Sequence, residues 1–450
     1  MSGPFQKLIC ELDQQLLKEH RFDTSLFEKL TAIQHESGIL HGDRSICPFL
    51  RPYFLAESRY NAIRQAAALL FSAFGSLTAA ALVDDDILAE LGMSEKEIRW
   101  ARLDPGYLDV SINSRLDTFL SADGFAFLEY NGENPAGIGD QAALERLFTN
   151  VPIVNRFLSD NLHHYPQPHI RLLEVLDRSY REFGGKKTTP NIAIVDWDGV
   201  STGAEFEILK EHFEASGYAT KICDPTFMVY ENGVLMSDDF EIDVFFKRVI
   251  IHEFLDRFDE EHPVYRACED GAVCMANSFR SKVPHKKASF AILTDKRYRG
   301  LFTDAQIDAI TRHVPWTRNV KYGNTTYNGD SVDLIDFIRK ERNRFVLKPN
   351  DDYGGKGINF GWESTVSEWD DAIENAVAAR YVVQERVAVE KTDIPMFENG
   401  EARLRSLTVD FDPFLFQGVV EGGMVRLAAG SLVNISSGGG ETALAILEGF

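Results

Sequence analysis

A strand–helix–strand pattern between residues 191 and 223 is the feature that most limits how this chain can fold. Residues 191–196 form an apolar run typical of a buried strand, residues 201–216 have helical spacing, and residues 218–223 predict a second strand. In a unit of about thirty residues the two strands lie parallel, and the helix crosses between them in a right-handed sense. The chain therefore contains a parallel sheet, which excludes all-helical and purely antiparallel folds.

The remaining patterns add helices before this unit and strands on both sides of it. Residues 1–100 have helical spacing, and Ser94 with Glu97 predicts a capping box. Residues 108–113 and 125–130 predict strands, as do residues 403–410 and 414–420 near the other end. The predicted fold class is therefore mixed α/β (α+β), with an N-terminal helical segment.

Length and charge exclude several classes of protein. A chain of 450 residues exceeds one ordinary core and predicts two to three domains. Its 47 basic and 69 acidic residues give a net charge of −22, which argues against binding to nucleic acid or to an anionic membrane surface. The five cysteines are dispersed, and the first residues lack the apolar core of a signal peptide, so we expect reduced thiols and a cytoplasmic location.

Residues 66–83 are eighteen residues without a charge, long enough to cross a membrane. Seven of them are alanine and four more are Ser, Gly or Thr, so the run is only weakly hydrophobic. We therefore predict a buried helix that ends before the three aspartates at 84–86.

A glycine-rich turn after a buried strand is the strongest local motif. The predicted strand, residues 344–349, ends in Lys348-Pro349, and Gly354, Gly355, Lys356 and Gly357 follow shortly afterwards. Glycines let successive backbone N–H groups converge on an anion, and lysines supply compensating charge, so this segment predicts a phosphate-binding loop. Its spacing is not that of a Walker A motif. The alternative is a hairpin turn with solvated lysines.

A second glycine motif, Gly137-Ile138-Gly139-Asp140-Gln141-Ala142, matches GxGxxA between a strand and a helix. Such a motif can bind a dinucleotide, but no strand ending in an acidic residue follows about twenty positions later. A dinucleotide-dependent oxidoreductase is therefore kept as an alternative with weak support.

Acidic and amide side chains alternate along two strands on either side of a predicted turn at Asp123. Arg115 and Asp117 share a face of the first strand, Glu129 and Asn131 share a face of the second, and Asp117 lies 12 residues before Glu129. We call this segment, within residues 114–137, the acidic hairpin. Its hard oxygen ligands suit Mg²⁺ bound to phosphates, with the arginine free to contact phosphoryl oxygens. The alternative is a solvent-facing hairpin edge.

At these residues the chain resembles the circularly permuted ATP-grasp ligases, in particular the synthetase domain of glutathionylspermidine synthase. That family carries Arg-x-Asp and then Glu-x-Asn before its glycine loop, as this chain does. The resemblance implies a metal site of Asp117, Glu129 and Asn131 and catalytic roles for Arg115 and Lys348. It places ATP against the set Lys287, Lys348, Tyr353, Gly354, Gly355, Lys356, Gly357, Gln384, Glu385 and Val387. Lys282 and Lys286 compete with Lys287 as the second ATP lysine, and residues 421–440 resemble the ending of another permuted subgroup.

The resemblance further implies an organisation in three parts. Residues 1–150 would hold the helical segment and the metal-binding part of the ATP-grasp floor. Residues 151–284 would be a Rossmann-like pre-ATP-grasp domain, and residues 285–450 the lid, hinge and remaining floor. The implied function is an ATP- and Mg²⁺-dependent ligase that joins small-molecule carboxylate and amine substrates through an acyl phosphate. A nucleotide-binding protein without catalysis is the other alternative.

Overall fold

The computed structural model of the chain describes residues 3–122, 124–430, 433 and 439–450. Its first hundred residues are mainly helical, as predicted. The predicted capping box is present, with the Ser94 and Glu97 side chains each accepting a hydrogen bond from the other residue's amide. The helices of this part are Pro4–His20, Thr24–Glu36, Glu57–Ala81, Asp85–Leu91 and Glu95–Ala101, and its strands are Leu40–His41, Arg44–Ser45 and Tyr53–Ala56.

The uncharged run predicted as a buried helix lies in Glu57–Ala81. By length and composition this helix could cross a membrane, yet half of its most apolar window is buried inside the protein, as in a core helix. Leu70, Phe74 and Leu77 are each at most 1% exposed. They belong to the same apolar core as the strands of the antiparallel sheet described next.

An antiparallel sheet contains the acidic hairpin and strands from the last sixty residues. The predicted strand at 108–113 is wrong, because the strand begins at Asn113 and Leu108 is 98% exposed. The two strands predicted at 403–410 and 414–420 are instead one strand to Phe416, which accommodates Pro413 through a register shift. In spatial order the strands are Gly440–Thr442, Val419–Ala428, Glu401–Phe416, Asn113–Ser121 and Gly124–Asn131, and Lys391–Glu398 also pairs with Glu401–Phe416.

The predicted parallel sheet is confirmed. Its strands, in spatial order, are Cys274–Ala276, Val244–Lys247, Ile192–Val195 and Thr220–Cys223, and all three neighbouring pairs are parallel. Ile192–Val195 and Val244–Lys247 are buried throughout, which explains their continuous apolar sequences. Nearby lie the helices Pro168–Glu182, Gly203–Ala215, Ile251–Arg257 and Pro263–Glu269, the short strands Met228–Glu231, Val234–Ser237 and Phe240–Glu241, and the 3₁₀ turns Pro225–Phe227 and Phe279–Ser281.

A third sheet carries the strand that precedes the glycine-rich turn. Its strands, in spatial order, are Thr317–Asn319, Tyr381–Glu385, Phe345–Pro349 and Asn359–Phe360. Trp369 is fully buried in the core on which this sheet packs. The surrounding elements are helices Lys282–His285, Ala288–Leu293, Asp304–His313, Leu334–Lys340 and Val366–Ala378, the hairpin Asn324–Tyr327 with Asp330–Asp333, and 3₁₀ turns Lys296–Leu301 and Arg342–Arg344.

The strand Leu444–Leu447 lies between two segments from much earlier in the chain. It runs parallel to Tyr53–Ala56 and antiparallel to His163–His164. All four of its residues are fully buried. The helices Asp140–Phe148 and Pro152–Asp160 complete the described elements.

Candidate functional site

A cleft of about 740 Å³ lies between the third sheet and the antiparallel sheet. It is lined by the acidic hairpin, the strand Phe345–Pro349 that carries Lys348, the glycine loop (residues 353–357) and the strand Tyr381–Glu385 with the residues after it. The structure therefore gathers into one cavity segments that are more than two hundred residues apart. The predicted site residues that line it are Arg115, Asp117, Glu129, Asn131, Lys348, Tyr353, Gly354, Gly355, Gln384, Glu385 and Val387. The predicted residues outside this lining are Lys287, Lys356 and Gly357.

The acidic hairpin has the predicted antiparallel pairing. Asp117 lies opposite Glu129, and Arg115 lies opposite Asn131. The register shifts between Asp117 and Thr118, which marks a bulge beside the candidate metal ligand. Bulges of this kind re-aim side chains next to active sites. The predicted turn residue Asp123 lies outside the described residues.

Asp117 is held by polar contacts on several sides. Its Oδ1 accepts hydrogen bonds from Arg115 Nε at 3.1 Å and from Asn131 Nδ2 at 2.7 Å, and its Oδ2 accepts one from Arg426 Nη2 at 3.1 Å. Burial would raise the pKa of Asp117, but the two guanidiniums outweigh it and bring the pKa to about 2. The carboxylate is therefore ionised at every physiological pH.

Two further carboxylates at this place were missed in the sequence. Asp410 and Asp412 lie on the strand Glu401–Phe416, and Arg426 Nη2 is 2.6 Å from an oxygen of each. The three carboxylates of Asp117, Asp410 and Asp412 converge closely enough to hold one cation. Burial raises the pKa of both Asp410 and Asp412. Their signal in the sequence is two acidic residues at alternate positions of an otherwise apolar stretch, residues 409–416.

The oxygen donors of this cluster fit Mg²⁺. Asp117, Glu129 and Asn131 present carboxylate and amide oxygens on one face of the hairpin, which are the hard ligands that Mg²⁺ takes. Asp410 Oδ1 is buried and has no hydrogen-bond partner within the described part of the chain. An orphaned carboxylate oxygen beside the predicted ligands is the kind of group that a cation would satisfy.

Two lysines place their ammonium groups beside the acidic hairpin. Lys348 Nζ donates hydrogen bonds to Gln384 Oε1 at 2.8 Å and to the Leu128 carbonyl at 3.4 Å. Lys287 Nζ is 3.1 Å from Glu129 Oε1 and donates to the Asp352 carbonyl at 2.7 Å. Lys287 lies behind the cleft lining, next to a predicted metal ligand and to the start of the glycine loop.

The competing lysines, Lys282 and Lys286, form a buried charge network instead. Lys282 Nζ is 2.7 Å from Glu133 Oε1 and 2.6 Å from Asp351 Oδ1, and the Lys282 and Glu133 side chains are fully buried. Lys286 Nζ is 2.5 Å from Asp351 Oδ2 and 2.7 Å from Glu97 Oε1. Burial opposes ionisation of Glu133, but Lys282, His285 and Lys247 together more than offset it and bring the pKa of Glu133 to about 2. The network fixes Asp351, the third residue after Lys348, at the base of the glycine loop.

The glycine loop needs its glycines for backbone reasons. Gly354, Gly355 and Gly357 have φ of +68°, +76° and +73°, a region that L-residues with a side chain rarely adopt. At the start of the loop, the Tyr353 hydroxyl hydrogen-bonds Glu253 Oε1 at 2.9 Å, so the loop contacts the helix that follows a strand of the parallel sheet.

Residues 384–387 are the segment that the resemblance implies as the hinge against adenine, and the side chains of Gln384 and Glu385 are already bonded within the protein. Gln384 Nε2 donates to the Leu128 carbonyl at 3.3 Å and to Thr317 Oγ1 at 3.1 Å. The Glu385 carboxylate accepts from Tyr327 at 2.6 Å and from Arg344 at 3.0 Å. Recognition of a base at this hinge would therefore fall to backbone groups.

The GxGxxA motif does not form a free anion site. It follows a strand of the antiparallel sheet, and Glu205 Oε1 accepts hydrogen bonds from the amides of Ile138 at 2.8 Å and Gly139 at 3.4 Å. A carboxylate of the protein thus bonds the amides that a pyrophosphate would need. In the segment 421–440, Arg426 contacts the carboxylate cluster as described, while residues 431, 432 and 434–438 lie outside the described residues.

Comparison with known proteins shows the fold. No protein-family model matches the chain, and no curated protein matches it in sequence. A glutathione synthetase-like effector from Globodera pallida, in its apo form, has a TM-score of 0.61 and 14% identity, over 96% of this chain and 97% of that chain. A putative γ-glutamylcysteine synthetase from Methylobacillus flagellatus covers 86% of this chain and 87% of that chain, at a TM-score of 0.42 and 11% identity. A D-alanyl-alanine synthetase A from Vibrio cholerae covers 50% of this chain and 68% of that chain, at a TM-score of 0.27 and 12% identity.

The similarity to the first of these structures extends over nearly the whole of both chains, whereas the other two align too loosely to carry an argument. Its likeness to this chain concerns the fold and not the activity. The chain has an α/β fold of the ATP-grasp type, and the predicted fold class is confirmed.

Proposed function

We propose that this protein is an ATP- and Mg²⁺-dependent ligase that joins a carboxylate to an amine through an acyl phosphate. The observation that carries the proposal is the cleft in which the acidic hairpin faces the strand of Lys348 and the glycine loop. Metal ligands on one wall and phosphate-binding groups on the other are the parts that phosphoryl transfer requires. We also propose that the motifs follow the permuted order, and that the protein is most like glutathionylspermidine synthase among the ATP-grasp ligases.

In this proposal the phosphates of ATP lie between the two walls. Lys348, Lys287 and the amides of the glycine loop offset their charge, and backbone groups at Glu385 to Val387 bind the base. Asp117, Glu129 and Asn131 would hold Mg²⁺, with the Asp410 carboxylate beside them. When bound there, the ion would supply charge neutralisation for the phosphates.

The proposed ligase reaction has two steps. An oxygen of the substrate carboxylate attacks the terminal phosphorus, the bond to ADP breaks, and an acyl phosphate forms. The amine nitrogen then attacks the acyl carbon and loses a proton, and phosphate departs to leave an amide. Arg115 lies beside Asp117, and in this proposal it bonds the transferring phosphoryl oxygens. Residues 151–284 would contribute substrate contacts, and residues 285–385 the lid.

ATP turnover should depend on an acceptor. Because an acyl phosphate is wasted if water reaches it, we expect the glycine loop to close over the nucleotide before transfer. ADP should form slowly with ATP and Mg²⁺ alone and much faster in a screen that supplies the right acid and amine. Hydroxylamine in place of the amine should trap a hydroxamate, which is measured colorimetrically.

Other results would select an alternative. Rapid ADP release without acceptors and without a trapped hydroxamate would indicate an ATPase. Tight ATP binding with no turnover across the screen would favour the nucleotide-binding protein without catalysis. The bonding of Glu205 to the GxGxxA amides leaves the oxidoreductase without structural support.

ATP affinity should fall as the pH rises through about 8. Burial lowers the pKa of Lys348 to about 8, although the Glu129 carboxylate opposes the change, so above that pH the free protein has a neutral amine in the cleft. Binding of the ATP polyanion requires the ammonium, so affinity should decrease by up to about tenfold per pH unit above the pKa. Titration calorimetry between pH 7 and 9 would measure the change.

The variant Lys348→Arg is the control, because a guanidinium stays charged throughout this range. Its ATP affinity should be independent of pH. Burial also lowers the pKa of another lysine, Lys247, to about 8. If Lys247 caused the pH dependence, that dependence would persist in Lys348→Arg. A wild-type affinity that is constant from pH 7 to 9 would contradict the assignment of Lys348.

A further inference from the structure

Asn277 binds both strands of the acidic hairpin at its open end. Its Oδ1 accepts hydrogen bonds from the amides of Ile112 at 2.5 Å and Asn113 at 3.2 Å, which lie at the start of the first strand. Its Nδ2 donates to the Asn113 carbonyl at 2.6 Å and to the carbonyls of Gly132 at 2.8 Å and Glu133 at 3.2 Å, just after the second strand. One carboxamide therefore spans the two strands that carry all the predicted metal ligands.

The backbone ladder of the hairpin stops where Asn277 begins. The outermost backbone pair is Arg115 with Asn131. Asn113 pairs with Phe416 on its other side, and the chain after Asn131 leaves toward the parallel sheet. The bulge after Asp117 also disrupts the ladder locally, close to these outermost pairs. The Asn277 side chain supplies the missing connection at the open end.

Asn277 is itself held rigidly. It follows the strand Cys274–Ala276 of the parallel sheet and is 0% exposed. The next residue, Ser278, donates its amide to the Tyr107 hydroxyl at 3.1 Å, and that tyrosine bonds the Met275 carbonyl at 2.6 Å. The position of the carboxamide is therefore set by the parallel sheet, which contributes none of the predicted metal ligands.

We propose that Asn277 is a positioning residue for the metal site, setting the spacing of the strands that carry Asp117 on one side and Glu129 with Asn131 on the other. The inference rests on the proposed function, since it assigns Asn277 to the same site. A carboxamide provides two acceptor lone pairs and two donor hydrogens, and all of them are used here. Aspartate would lack both donors, and alanine would leave buried backbone groups without partners.

The test measures metal binding directly, without turnover. Mn²⁺ serves as a spectroscopic probe, and its binding to protein loaded with β,γ-methylene ATP is followed by EPR. Asn277→Ala should weaken Mn²⁺ binding by about ten- to a hundredfold, the usual effect of removing a group that orients metal ligands. Affinity for the analogue without metal should change little, because Lys348 and the glycine loop are not contacted by Asn277.

Gln34→Ala is a matched control for loss of stability. Gln34 is also 0% exposed, and its carboxamide bonds the amide and carbonyl of Cys47 at 2.8 and 3.0 Å, within the N-terminal helical segment. Both variants should unfold at lower temperature than the wild type, but Gln34→Ala should bind Mn²⁺ normally. If Asn277→Ala does not fold, Asn277→Ser retains one donor and should show a smaller loss in the same direction.

The outcomes separate this inference from the proposed function. If the wild type binds neither the analogue nor Mn²⁺, the proposed function itself fails. If the wild type binds both and a folded Asn277 variant binds Mn²⁺ as tightly, or if Gln34→Ala loses Mn²⁺ equally, the positioning role is overturned and the ligase proposal stands.

Discussion

Asp117→Asn should abolish ADP formation while the protein remains folded. Asp117 is the predicted metal ligand that also contacts Arg115 and Arg426, and its carboxylate is ionised because the pKa is about 2. Asparagine keeps the size of the side chain but removes its charge, so metal and phosphates would be poorly held. We expect turnover to fall by at least about 10²–10³-fold, the scale of losing one strong electrostatic contact in transfer.

Turnover is measured as ADP release with the acid and amine found in the screen, and folding by circular dichroism and thermal unfolding. Asp371→Asn, an exposed aspartate on the helix Val366–Ala378, controls for the general effect of losing a negative charge. A folded Asp117→Asn protein with wild-type turnover would discard the metal assignment, and with it most of the support for the permuted ATP-grasp interpretation.

Lys282→Ala should give the largest loss of stability among single changes near the site. The substitution leaves the Glu133 carboxylate buried without its main counter-charge and deprives Asp351 of one of its two lysines. Breaking a buried pair by removing one partner typically costs about 3–5 kcal/mol of unfolding free energy. Urea unfolding followed by fluorescence would measure the loss.

Arg312→Ala provides the contrast, because its ion pair with Asp308 joins side chains that are 67% and 56% exposed. Surface pairs of this kind contribute about 0–1 kcal/mol. The structure shows the Lys282–Glu133 pair as fully buried. Equal stability losses in the two variants would contradict that burial.

Local patterns were enough to predict the parts of the site that lie within one or two neighbouring strands. The alternation of Arg115 with Asp117 and of Glu129 with Asn131, at a spacing closed by a short turn, predicted the hairpin, and its antiparallel pairing is confirmed. The continuous apolar runs likewise predicted the parallel sheet. The hairpin follows from a period of two residues and a short turn, and the parallel sheet follows from buried apolar runs joined by a helix.

Groups that meet only through tertiary pairing were not predictable in the same way. Arg426 contacts Asp117 across 309 residues of sequence, and Lys282 contacts Glu133 across 149. Lys282, Lys286 and Lys287 could not be told apart in the sequence, because their different partners come from separate elements. The prediction of a strand at residues 108–113 was wrong because an apolar residue is not always buried, and Leu108 is exposed.

The long-range pairing of the antiparallel sheet has a consequence for the order in which the protein is made. The parallel sheet lies wholly between residues 192 and 276, so it can form while synthesis continues. Asn113–Ser121, in contrast, receives its second neighbour only when Phe416 has left the ribosome. At 5–20 residues per second this takes about 15 to 60 seconds, during which a strand edge of the acidic hairpin stays open to other chains. The cleft is therefore completed late in synthesis, and a chain cut short before residue 401 would lack the part of its lining that includes Asp410 and Arg426.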